Sequence, residues 1–235
     1  MAGLSRDHVS VTALDPASGE VAWTFRARQG EPRPAAAGHG RVAVVDATLL
    51  HGLVQSSGEV RWSRARTARP EAAPAAVGSA PLALADEGAV MTLDAATGGC
   101  LWARPLPGTP SPVLPAADAL VTSYDTGCGT DLVLALDAAT GEVRWERRLH
   151  TAGALELVGV RSGLVLARAG RGSTGLLGRA PRPPFLVGLD ASDGRPRWRW
   201  ENRGIDERAA VAVAVDGSGV LVACPFVMAV ALPAA

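Results

Sequence analysis

The sequence predicts an all-β protein, a β-propeller of four-stranded blades with about five to six repeat units, and three observations predict it. One phrase ending in tryptophan occurs five times: ALDPASGEVAW (13–23), GLVQSSGEVRW (52–62), TLDAATGGCLW (92–102), ALDAATGEVRW (135–145) and GLDASDGRPRW (188–198). Its tryptophans, Trp23, Trp62, Trp102, Trp145 and Trp198, stand 39, 40, 43 and 53 residues apart. That is the period of stacked supersecondary units and, for strand-like units, of propeller blades. The chain between the phrases supplies short strands, with no helical period and no linker.

Each phrase reads as a β-hairpin. In the fourth, the apolar run 132–136 leads into Asp137, two small residues, Thr140 and Gly141, and a second strand runs from Val143 through Trp145. Asp and Thr hydrogen-bond a turn backbone, and Gly accepts the positive φ that tight turns require. The repeated glycines are Gly19, Gly58, Gly98, Gly141 and Gly194. A buried Trp removes about 150–250 Å² from water, so the repeated Trp is read as a docking residue that packs blade on blade, with its Gly as part of the same structural set.

Two further strands fit in each period. Segments 34–38, 74–78 and 112–116 are short and built of small residues, which suits a crowded central axis. Each precedes a more apolar run, 42–45, 82–85 and 120–122, and two later periods repeat the pattern with 155–160 plus 164–167 and 211–215 plus 220–223. Four short strands per period make one blade.

The form A-L-D-x-x-T-G-E-x-x-W, matched without departure by residues 135–145, resembles the tryptophan-docking repeat of the pyrroloquinoline-quinone-like (PQQ-like) β-propellers. That superfamily includes quinoprotein dehydrogenases and a non-catalytic branch, the outer-membrane assembly lipoprotein propellers, and the resemblance covers almost the whole chain. It implies the fold strongly. It leaves function open, because the repeated residues are packing residues. The chain opens in the third strand of a blade, 8–14, and ends in another, 227–232. A closed ring of about five blades with a shared terminal blade and a partial ring both fit that arithmetic.

At 235 residues, 48% hydrophobic and 20% charged, the chain has enough apolar material for a sizeable core and reads as one domain, 1–235. Every one of the 23 basic residues is Arg; net charge is zero and aromatic residues are scarce near the arginines of 157–189, which argues against a nucleic-acid partner. The opening MAGLSRDHVS lacks a signal-peptide core and no run approaches about 18 apolar residues. As encoded, the chain reads as cytoplasmic, with an extracytoplasmic place open should an N-terminal segment be missing. Cys100, Cys128 and Cys224 are too few and scattered for a disulfide framework or zinc spacing.

For a quinone enzyme, the resemblance implies a tryptophan below the quinone, adjacent cysteines above it and Ca²⁺ held by carboxylate and Asn oxygens. No two cysteines here are adjacent, and the one asparagine is Asn202. No catalytic residue, cofactor ligand or metal ligand is assigned. Gly170, Gly172 and Gly175 spell G-x-G-x-x-G, but Pro181, Pro183 and Pro184 follow where a dinucleotide site needs a helix. Asp125 and Asp131 bracket DTGCGTD, a metal loop by its carboxylates, but a Gly-rich stretch with flanking Asp reads first as a turn. His8, His39, His51 and His150 show no ligand spacing, and no Ser-His-Asp arrangement is assigned from sequence.

The most suggestive feature is electrostatic. Residues 157–189 hold Arg161, Arg168, Arg171, Arg179 and Arg182 and no acid, whereas 105–143 hold Asp118, Asp125, Asp131, Asp137 and Glu142 and no base. The basic stretch contains the insertion GRGSTGLLGRAPRPP, too rich in Gly and Pro for a core. Loops on rigid scaffolds carry recognition, so Arg171, Arg179 and Arg182 are the candidate partner-binding residues. The expected function is a non-enzymatic scaffold for a protein partner. The alternatives are a degenerate or fragmentary quinoprotein-like propeller with residual ligand binding, and a regulatory or sensor module working with a polypeptide such as a kinase.

Overall fold

The computed structural model describes residues 10–28, 30, 32–38, 40–66, 75–76, 81–86, 88–126, 129–151, 155–169, 185–201, 212–215, 219–223 and 227–231. The fold is an all-β propeller repeat fold, and every described regular element is a strand. The chain divides into two compact units, Met1–Pro105 and Leu106–Ala235.

In the first unit, β1 (Ser10–Leu14) pairs with β2 (Val21–Arg26). Two antiparallel four-stranded sheets follow. One orders β3 (Arg33–Gly38), β4 (Arg41–Val45), β5 (Leu49–Val54) and β6 (Val60–Ala65); the other orders β7 (Ala75–Ala76), β8 (Pro81–Asp86), β9 (Ala89–Asp94) and β10 (Cys100–Pro105). In the second unit, one sheet runs β11 (Leu114–Ala116), β12 (Ala119–Asp125), β13 (Thr130–Asp137) and β14 (Val143–His150). The next runs β15 (Leu155–Arg161), β16 (Leu164–Ala169), β17 (Phe185–Asp190) and β18 (Pro196–Glu201), and a third holds β19 (Ala212–Val215), β20 (Gly219–Ala223) and β21 (Val227–Ala231). All these sheets are consecutive meanders, the blade pattern that the four strands per period predict.

Among the described residues, burial falls from the middle strands to the outermost strand of the four-stranded sheets. The middle strands are covered on both faces: β13 and β17 are almost entirely buried, while β14 and β18 mix exposed and covered positions. The leucine before the turn residue shows the effect. Leu53, Leu93, Leu136 and Leu189 are all at 0% exposure, yet Leu14, at the same place in the first phrase, is 58% exposed. Its sheet consists of β1 and β2 among the described residues, whereas Leu53 clusters with Val11 of the preceding sheet and Leu93 with Val45 and Leu50 of its own preceding sheet.

Every Trp hairpin also carries a β-bulge that the phrase itself does not announce. Trp23, Trp62, Trp102, Trp145 and Trp198 face Ala13, Gly52, Thr92, Ala135 and Gly188, and the register then slips by one, leaving Ala22, Arg61, Leu101, Arg144 and Arg197 as the extra residues. A bulge turns neighbouring side chains toward the same side of the strand. Val21, Val60, Leu101 and Val143 consequently stand 62%, 41%, 58% and 39% exposed.

Candidate functional site

The phrase closes its turn in a repeated way. The Asp137 Oδ1 accepts the Ala139 and Thr140 amides at 2.9 and 3.0 Å, and the Gly141 amide donates to the Asp137 carbonyl at 2.8 Å. Asp15 and Asp94 accept the matching pairs of amides, and Asp190 accepts the Ser192 amide. In the second phrase Val54 replaces the Asp, and the backbone bond from Gly58 to Val54 at 2.8 Å remains.

That turn is a seat for the indole of the preceding repeat. Trp23, Trp62 and Trp145 donate Nε1–H to the carbonyls of Gln55, Ala95 and Ala191 at 2.8, 3.0 and 2.8 Å. The acceptor is each time the residue after the Asp position. The ring lies against the turn glycine: a Cβ on Gly58, Gly98 or Gly194 would stand 2.6, 2.6 or 2.4 Å from an atom of Trp23, Trp62 or Trp145. On the other side, a Cβ on Gly52 would stand 2.1 Å from Trp62, and one on Gly188 would stand 2.6 Å from Trp198. Burial is uneven. Trp145 is 8% exposed, whereas Trp23, Trp62, Trp102 and Trp198 are half-buried. Gly19 has no neighbour within 4 Å of a built Cβ.

The residue after the Asp position uses its amide as well. Gln55, Ala138 and Ala191 donate to the carbonyls of Gly40, Asp118 and Gly163 at 2.9, 3.0 and 2.7 Å, clamping the first turn of a blade to its Trp-hairpin turn. Pro16, at this position in the first phrase, has no N–H to give.

In the second unit these paired turns border a cleft of about 700 Å³ between the β11–β14 and β15–β18 sheets. Its charged walls are Asp118, Arg144, Asp190 and Arg197, with Ser162 and Ser192 between them. Both arginines are the bulged residues before Trp. Arg144 donates Nη1–H and Nη2–H to Asp118 at 2.7 Å each, and Nε–H and Nη2–H to Asp137 at 3.2 and 2.6 Å. Arg197 donates Nε–H to Asp190 at 2.8 Å. Where the second repeat lacks the Asp, its Arg61 lies 3.5 Å from Glu59 instead. The Arg144 guanidinium, then the Thr140 amide, hold the Asp137 carboxyl down to about 2. Because the folded value lies below the unfolded one, this pairing is fully present above about pH 4 and is lost as pH falls toward 2. A carboxyl NMR titration should place the Asp137 midpoint near 2, and Arg144→Ala should return it toward the ordinary carboxylate range.

The charge segregation read from sequence is partly cancelled across strands. Arg168 pairs with Glu156 at 2.6 Å, its register partner on β15, and the acids Asp118 and Asp137 are met by Arg144. Arg161 is exposed. Arg171, Arg179 and Arg182 lie outside the described residues, as do Asn202, Cys128, Cys224 and the three glycines of the G-x-G-x-x-G match. Asp125 and Asp131 are cross-strand partners. Burial pushes the Asp131 carboxyl up, and the Thr151 hydroxyl donates to it. Among the described residues no three His, Cys, Asp or Glu side chains are grouped to hold a metal ion.

Sequence reasoning assigned no role to Asp46, His51 and Ser63, which the structure links. His51 Nε2 lies 3.0 Å from Asp46 Oδ2 and its Nδ1 lies 2.8 Å from Ser63 Oγ. Separations of five and twelve residues give no motif; only the β5–β6 register brings them together.

The structure of BamB from Moraxella catarrhalis is similar, at 18% identity and TM-score 0.50 over 92% of this chain and 76% of that one. The quinohemoprotein alcohol dehydrogenase ADHIIG from Pseudomonas putida HK5 gives TM-score 0.61 at 13% identity over 86% of this chain and 42% of that one. Kuenenia stuttgartiensis hydrazine synthase gives TM-score 0.62 at 15% identity over 91% and 67%. These likenesses are of fold. No curated protein matches the chain. No helix among the described residues is long and apolar enough to cross a membrane. A family model, described as outer membrane protein assembly factor BamB, matches residues 7–126 and 86–233, and the chain belongs to that family.

Proposed function

We propose that the chain is a single propeller domain acting as a non-enzymatic scaffold for protein–protein interaction, which meets an acidic partner surface through the segment 170–184. The observation that carries this is the family match, whose description is of an assembly factor. The seated indoles favour a rigid frame, and rigid frames leave recognition to their connections. β16 ends and β17 begins at the partnered residues Ala169 and Phe185, so the segment leaves from the sheet end opposite the Asp190 turn. It brings Arg171, Arg179 and Arg182 and no acid, and Arg forks bind carboxylates bidentately.

Shortening 171–183 should leave the melting curve nearly unchanged, since shortening a connection between two strands alters closure entropy only slightly. The same change should weaken capture of the partner from the source organism, and wild-type capture should fall with added salt as exposed charges are screened. An unchanged set of captured proteins from a folded, shortened chain would remove the segment from the interface.

The likeness to a quinohemoprotein dehydrogenase raises the quinoprotein alternative. The residues do not fit that group: no cysteines are adjacent, and Asn202 is the one asparagine, so a Ca²⁺ site would rest on carboxylates and carbonyls alone. Purified protein should therefore bind pyrroloquinoline quinone with Ca²⁺ no better than serum albumin does, by fluorescence titration. Tight binding with Ca²⁺-dependent dye reduction would reverse the assignment.

A further inference from the structure

We propose that Ser63 is an activated nucleophile, with His51 as its base and Asp46 as the group that orients the base, and that it takes an acyl group from activated acyl donors of the aryl ester or thioester class. The direction of the hydrogen bonds decides the roles. Asp46 Oδ1 accepts the Thr48 and Leu49 amides at 2.9 and 2.7 Å, which fixes the carboxyl and leaves Oδ2 for His51. Burial works against the charged form of Asp46, but the bonds from His51, Thr48 and Leu49 outweigh it and hold the carboxyl below its ordinary range. A carboxylate only accepts, so Nε2 of His51 carries the proton, Nδ1 is the acceptor, and the Ser63 hydroxyl donates to it. The chain of bonds thus runs from serine to imidazole to carboxylate, the order that activates a serine.

Burial divides the three as such an arrangement needs. Asp46 and His51 are 4% and 7% exposed, while Ser63 is on the surface. Phe25 packs on the imidazole at 5.1 Å between ring centroids, fixing its plane. β6 is the outermost strand of its sheet, and an edge strand offers unpaired N–H groups to a developing oxyanion.

The fold does not require these residues. At the same register position the other hairpins pair Thr12 with Thr24, Met91 with Ala103, Leu134 with Glu146 and Val187 with Arg199. Four hairpins of one design form without a His–Ser pair, so the set in the second repeat is an addition to the scaffold.

In the step, Ser63 Oγ attacks the acyl carbonyl and its proton passes to His51 Nδ1. The tetrahedral adduct then collapses, the bond to the leaving phenolate or thiolate breaks, and the leaving group takes the proton from His51. An ester on Ser63 and a free phenol or thiol result, with no change of oxidation state.

Whole protein treated with p-nitrophenyl acetate should gain one acetyl group, mapped by peptide mass spectrometry to Ser63. Acetylation there should run on the order of a hundredfold faster than at Ser57, an exposed serine of the same chain whose hydroxyl accepts the Glu59 amide. Ser63→Ala should abolish the matching release of p-nitrophenolate, and folded His51→Gln should slow Ser63 to the rate of Ser57. Equal rates at Ser63 and Ser57 in the wild-type chain would overturn the proposal, and that comparison needs no variant to fold.

Discussion

Trp145→Ala should destabilise the folded chain by about 3–5 kcal/mol, the range for removing a large aromatic from a closed environment. Trp145 is the most covered of the repeated indoles, at 8% exposure, and it belongs to the core cluster that includes Val133, Ala135, Val165 and Leu189. The substitution removes the ring from the Gly194 turn and leaves the Ala191 carbonyl without its indole donor, so a cavity and a lost hydrogen bond act together. The effect is read as a drop in the denaturation midpoint at unchanged slope. Trp23→Ala, at a half-buried ring with the same bond to Gln55, should cost less. Equal midpoints for wild type and Trp145→Ala would remove the indole from the account of stability.

Gly194→Val should cost nearly as much, for a different reason. Gly194 has φ +70°, and a Cβ there would meet Trp145 Cε3 at 2.4 Å, a ring edge held by its own hydrogen bond. The left-handed conformation alone costs about 1–2 kcal/mol for an L-residue, and displacing the indole adds to it, giving about 3 kcal/mol or more. Gly19→Val supplies the comparison. Its φ is +71° with nothing within 4 Å of the added carbon, so it bears the conformational part alone. A Gly194 variant no less stable than the Gly19 variant would show that the close approach of indole and turn carries no free energy.

The hairpins and strand order were legible because period, turn chemistry and apolar runs agree with one another. The strands at 42–45, 82–85 and 120–122 fall inside β4, β8 and β12, each of which extends further at one or both ends. The bulge before each Trp was not legible, since Arg61, Arg144 and Arg197 stand where Ala22 and Leu101 stand in the other phrases. Only the register slip shows that they stand in one position, and that slip is what aims Arg144 at Asp118 and Asp137. Charge counted in windows of sequence missed Glu156 opposite Arg168 for a similar reason, because cross-strand neighbours lie close in space across a window's edge. Asp46, His51 and Ser63 escaped for want of a spacing rule. Arg171, Arg179 and Arg182 stood out only through the lengthened period.

A photo-crosslinking residue placed in turn at Ser173 and at Ser192, in the source organism, tests the scaffold assignment most directly. The two positions belong to the segment 170–184 and to the β17–β18 turn, which leave opposite ends of one sheet. A discrete protein adduct is expected from Ser173, weakened by Arg179→Glu, and none of that size from Ser192. The same adduct from Ser192 with none from Ser173, or no adduct from either while the chain is folded and expressed, would contradict that assignment.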